Sequence, residues 1–186
     1  MPTKARKSAD VKAVEKIIKI MDKTNKKPEY AGAYINDKGK QVIGCMFMVV
    51  RLNEPLPVVK AEQKMTSFDR VFDINKGEEQ TILEIPTIAD LKDYIKTEKE
   101  KNSEKYKGRN KEPIFYDFSI TESKVMFPLV NAEYLLLMLE IFGNDSKVTW
   151  SHSGINLKKP YCNSGYIFFK SSKGDGVLCL VRRADI

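Results

Sequence analysis

The sequence predicts an α+β domain in which helices cover one face of antiparallel sheet. Three observations predict it. A helix followed by three extended runs occurs near both ends of the chain. Hairpin turns join neighbouring runs. No Gly-rich phosphate loop and no βαβ alternation of the Rossmann kind interrupts the pattern. With 186 residues, of which 42% are hydrophobic and 31% charged, the chain has the size and composition of a single globular domain, residues 1–186.

The first helix is expected from about Ala9 to Lys23, opened by Ser8 as N-cap and closed before Asn25 and Pro28. At about 100° per residue, Val11, Val14, Ile17, Ile18 and Met21 share one face, and Lys12, Lys16, Lys19 and Lys23 form a stripe about 60° wide on another. Three extended runs follow, AGAYIND, KGKQVIGCM and FMVVRLN, the first two joined by Asn36-Asp37-Lys38-Gly39. Residues from Val58 to Lys76 are polar apart from Phe68, Val71 and Phe72, and are expected to form a loop with a short strand or turn.

TILEI is the next expected strand, leading to a second helix that starts near Pro86 with Ile88, Leu91 and Ile95 inward and Lys92, Lys96 and Lys99 on one face. Beyond about Lys101, the run with Asn102, Ser103, Gly108 and Asn110 is expected to be a basic loop. PIFYDFSI and KVMFPLV then read as strands around Thr121-Glu122-Ser123. Asn131 is the expected N-cap, and Gly143 the C-terminal stop, of the nearly all-apolar helix AEYLLLMLEIFG. KVTWSHS, GYIFFKSS and GVLCLVRR complete the strands, with the last turn expected at Lys173-Gly174-Asp175-Gly176.

The net charge is +7, and the sequence pI is near 9.2. Residues 1–27 hold nine Lys/Arg against three acids and residues 92–111 eight against four, so the rest of the chain is net negative. Confinement of positive charge to two segments points to a polyanionic partner, with a plainly solvated lysine face as the competing account. No apolar run approaches the roughly 20 residues of a membrane span, and the charged start lacks the apolar core of a secretory signal; a cytoplasmic protein without a membrane partner is expected.

Catalytic chemistry finds little material. The chain has one histidine, His152, flanked by Ser151 and Ser153; neighbours on a strand point to opposite faces, and no nucleophile elbow accompanies them. Cys45, Cys162 and Cys179 are too far apart for a CxxC site and read as buried thiols. Asp69, Asp73, Glu78 and Glu79 could be imagined as metal-binding carboxylates, but acids are ordinary in a polar loop. No enzyme, metal or cofactor is expected. Of Trp150, Tyr161, Tyr166, Phe168 and Phe169, alternation sends about half inward, and only those left outside could stack on bases.

VMFPLVNAEYLLLMLEIFGNDSKVTW and YIFFKSSKGDGVLCLVRR resemble the repeating unit of the bacterial replicative sliding clamp: a strand, a helix of the form Asn-x-x-Tyr-Leu-Leu, and a three-strand meander ending in an apolar strand with Arg. The N-terminal stretch VKAVEKIIKIMDKTNKKPEYAGAYINDKGKQVIGCMFMVVRL is similar to the preceding half-unit. The likeness covers about 110 of the 186 residues, and residues at about 57–111 have no counterpart, as an insertion would. The resemblance implies a DNA-clamp-like fold of two similar half-units, with helices on one face and sheet on the other. It implies a non-enzymatic, DNA-associated replication or processivity accessory factor. Such a factor would contact duplex phosphates without sequence preference through Lys12, Lys16, Lys19, Lys23, Lys92, Lys96 and Lys99.

In that family six domains encircle duplex DNA, so the likeness also implies self-association, and docking of replication proteins by short apolar peptides near the C-terminal strand, for which Leu178, Leu180 and Met138 are candidates although each reads first as buried core. The third helix departs from the pattern, with Glu133 and Glu140 in place of lysine. The alternative is a protein-interaction module that kept the clamp fold and binds a peptide or protein without encircling DNA.

Overall fold

A computed structural model describes residues 7–24, 32–45, 47–57, 68–73, 80–105, 113–118, 128–151 and 165–181. The chain is α+β. Helix α1 (Ala9–Thr24) leads into strands β1 (Gly32–Ile35), β2 (Gln41–Cys45) and β3 (Met48–Leu52). A short 3-10 helix (Asp69–Asp73), strand β4 (Gln80–Ile82) and helix α2 (Ile88–Lys105) follow. Then come β5 (Phe115–Asp117), β6 (Leu129–Asn131), helix α3 (Ala132–Phe142), β7 (Lys147–Ser151), β8 (Tyr166–Ser171) and β9 (Gly174–Cys179).

The strands form a seven-stranded sheet in the order β1-β2-β3-β9-β8-β7-β4 and a two-stranded sheet of β5 and β6, with every pairing antiparallel. Outward from the β3–β9 boundary the order reads the same in both directions: α1-β1-β2-β3 on one side and α3-β7-β8-β9 on the other. β4 extends the second half at its edge. The described parts of 57–111 thus join the same body, β4 through the sheet and α2 through packing on α3.

Strand alternation sorts the sheet into two faces. Ile43, Val50, Gly176, Phe169 and Val148 stand in one register row toward the helices, with Met48, Leu178, Ile167 and Trp150 in the next. α1 and α3 pack side by side on this face, and α2 flanks α3. Ala13, Val14 and Ile17 of α1 and Leu135, Met138, Leu139 and Ile141 of α3 are completely buried there, with Leu91 and Ile95 of α2 closing the core. Burial of this many aliphatic and aromatic side chains is the main term holding the layers together. Leu178 and Met138 are core residues and Leu180 is half-buried, so the first two are not open to a docking peptide.

The helices begin where their caps dictate. Asn131 accepts from the Glu133 and Tyr134 N–H groups at 2.9 and 3.1 Å, and the Gly143 N–H closes α3 on the Leu139 carbonyl. Thr87 Oγ1 accepts from the Asp90 N–H and donates to the Asp90 carboxylate, starting α2. α2 does not stop near Lys101 but runs to Lys105. Glu and Lys are good helix formers, and the Glu98–Lys101 pair one turn apart carries the helix past the apolar stretch.

The other sheet face is partly covered by the 3-10 helix. Phe68 packs with Val42 and Val49, its N–H donates to the Tyr34 hydroxyl at 3.0 Å, and Phe72 lies under the Arg51 guanidinium. The last hairpin differs from its sequence expectation: Ser171 pairs with Gly174, so Ser172 and Lys173 make the turn, and Gly174, Asp175 and Gly176 belong to β9.

Cys45 and Cys179 are free thiols. Burial pushes both up from the usual 9.0, Cys179 to about 11. The folded state therefore holds its Cys179 proton where the unfolded chain releases it, and this contribution to stability is lost as pH rises from about 9 toward 11. Urea titrations should show a lower midpoint at pH 10 than at pH 8, with Cys179→Ala reducing the difference. Cys162 lies outside the described residues.

Candidate nucleic-acid interface

The apolar face of α1 fixes where its lysines go. With Val11, Ala13, Val14, Ile17 and Met21 buried and Ile18 half-buried, Lys12, Lys16 and Lys19 are exposed together. Lys23 belongs to α1, but its side chain lies outside the described residues. On α2, burial of Leu91 and Ile95 leaves Lys92, Lys96 and Lys99 exposed.

Glu140 of α3 ties the two sets together. One carboxylate oxygen is 2.9 Å from Lys92 Nζ and the other 3.8 Å from Lys16 Nζ. A single side chain reached from both flanks places the lysine-bearing sides of α1 and α2 on one surface, with α3 between them. Lys99 pairs with Glu133, about two helical turns nearer the start of α3. Lys12, Lys19 and Lys96 have no carboxylate partner among the described residues.

The surface is therefore not uniformly basic: two acids on the middle helix neutralise part of the charge of three of the lysines. The Lys99–Glu133 pair is exposed and contributes about 0–1 kcal/mol, whereas Glu140 is largely buried between the two lysines it faces. Reading the lysines alone missed these counterions. The seven-residue spacing of Glu133 and Glu140, close to two helical turns, was the available sign that both lie on one face. Between α2 and α3 the surface dips into an open groove of about 410 Å³, floored by Leu136 and edged by Lys92, Lys96 and Lys99.

Most of the remaining candidates fall outside the described residues. His152, Ser153, Tyr161, Glu78 and Glu79 lie outside the described residues, as do the side chains of Ser151 and Asp69, and Asp73 is exposed. No cluster of three metal-binding side chains exists among the described residues. Trp150 and Phe169 are core residues, whereas Tyr166 and Phe168 stand half-exposed on the sheet face away from the helices. No helix among the described residues is long and apolar enough to cross a membrane. Compared with known proteins, the chain matches no family model, no curated protein and no solved structure.

Proposed function

We propose that the chain is a non-enzymatic, DNA-associated protein of sliding-clamp type, a replication or processivity accessory factor that touches duplex phosphates through its helical face. The observation that carries the reading is the convergence of the α1 and α2 lysines on one surface, beside a sheet whose two halves each follow a helix. Long lysines aimed outward from helices give attraction that is independent of sequence and sensitive to salt. A chain with one such domain encircles DNA only as an assembly of copies.

The α3 acids supply a test with an unusual sign. Glu133→Gln and Glu140→Gln keep side-chain volume while releasing Lys16, Lys92 and Lys99 for phosphate contact. The double variant should bind duplex more tightly than wild type, with the log-affinity versus log-salt slope steeper by about 0.9 for each lysine that gains a phosphate. No measurable duplex affinity for either protein at low salt would remove the reading. It would favour the second one, a protein-interaction module, for which the Glu–Lys pairing is the supporting observation because a surface carrying both signs can meet a partner of complementary pattern.

A further inference from the structure

β8 divides its side chains between the two sheet faces. Ile167 and Phe169 enter the core, while Tyr166, Phe168 and Lys170 stand on the face away from the helices, the two rings 6.3 Å apart and edge-on. Across the sheet on that same face, Arg51 of β3 is in register with Asp175 of β9, Asp175 with Lys170, and Lys170 with Lys147 of β7. The Asp175 carboxylate is taken by Arg51, whose Nη2 and Nε donate to one oxygen at 2.7 and 3.2 Å. Lys170 and Lys147 are left directly opposite each other, exposed and without a carboxylate partner among the described residues.

Like charges facing each other on neighbouring strands are unfavourable unless an anion lies between or along them. At about 4.8 Å per strand, the row from Arg51 to Lys147 spans about 14 Å, wider than one phosphate group. It borders an open groove of about 820 Å³ whose lining also includes Asp37, Lys38, Phe72 and Asp73. Lys147 and Lys170 are thus its cations without an acid partner on the β7–β8 side, while Arg51 is held by Asp175. Beside the cations stand two half-exposed rings, which base pairs cannot use because their faces are stacked, but unpaired bases can.

We propose that this groove binds single-stranded nucleic acid, with Phe168 stacking on a base, Tyr166 edge-on beside it, and Lys147 and Lys170 contacting phosphates. The surface is opposite to the one assigned to duplex, and neither assignment depends on the other. Fluorescence anisotropy of the full chain with labelled oligo-dT and oligo-rU tests it, one oligonucleotide reporting DNA and the other RNA. Binding to at least one is expected, and Lys147→Glu with Lys170→Glu should weaken it at least tenfold and flatten the salt slope by about 0.7 per lost contact. Phe168→Leu, which keeps the apolar contact and every charge, should weaken binding severalfold with the slope unchanged. Lys12→Glu with Lys19→Glu should leave single-strand binding alone. Should the charge reversals disturb folding by circular dichroism, Lys147→Gln with Lys170→Gln gives the same readout.

The proposal is overturned by wild-type protein that binds neither oligonucleotide at low salt. It is equally overturned by a folded 147/170 variant that binds like wild type, by Phe168→Leu binding at full strength, or by the 147/170 change weakening duplex and single strand equally.

Discussion

Gly174→Ala should lower folding stability by about 3 kcal/mol or more, a large share of the roughly 5–15 kcal/mol of an ordinary domain. Gly174 opens β9 with φ at +145°, where a side chain is strained. A Cβ there would also lie 2.1 Å from the Arg51 carbonyl oxygen and 3.1 Å from the Leu52 Cα. Both obstacles are backbone, so no rotamer change relieves them, and β3 must move away from β9 at the boundary joining the two halves of the sheet. The same movement would strain the Asn53 N–H bond to the Lys173 carbonyl at 2.8 Å. Gly39 is the matched control: its φ is +72°, but a Cβ there meets nothing within 4 Å, so Gly39→Ala should cost only about 1–2 kcal/mol. Urea denaturation compares the two. Equal midpoints would mean that β3 and β9 do not approach as closely at Gly174 as described.

Lys12→Glu, Lys16→Glu and Lys19→Glu together should abolish duplex binding at low salt while leaving the fold in place. These positions are exposed, opposite the buried stripe of α1, so the core term is untouched. Each lost phosphate contact removes about 0.9 from the log-affinity versus log-salt slope, and each new carboxylate repels the backbone. Lys16 is the one of the three facing Glu140, and its reversal sets two carboxylates near each other. If that lowers stability, the Lys12 and Lys19 pair alone carries the test. A triple variant that keeps its circular dichroism spectrum and binds duplex like wild type would clear α1 of any role and leave Lys92, Lys96 and Lys99 as the remaining candidates.

The helices and strands were legible where local chemistry decides them. Periodicity located α1, and the Asn131 and Gly143 caps bounded α3 within the sequence itself. Gly174 and Gly176 were misread as turn residues because glycine marks two different needs. Here both are required by close approach, Gly174 to the β3 backbone and Gly176 to Phe142 and Met138 of α3, whose atoms a Cβ would meet at 2.4 and 2.5 Å. Nothing local in the sequence reports such neighbours. The same holds for the site: the lysines of α1 and α2 were visible as stripes, but their meeting at Glu140 depends on how three helices pack. The outward set on β8 was visible as alternation, yet its pairing with Lys147 and Arg51 depends on sheet order.

The β3–β9 boundary also governs how this protein can be made. Its Arg51–Asp175 bond joins residues 124 positions apart, so the first half-unit leaves the ribosome long before the strand that will cover its edge exists. Until β9 arrives, β3 presents an open edge of apolar residues, and α1 lacks the helix that packs beside it. Such an exposed edge makes the nascent chain prone to mispairing with a neighbouring copy. Slowing synthesis across the middle of the chain would lengthen that exposure and lower the soluble yield without changing a single residue.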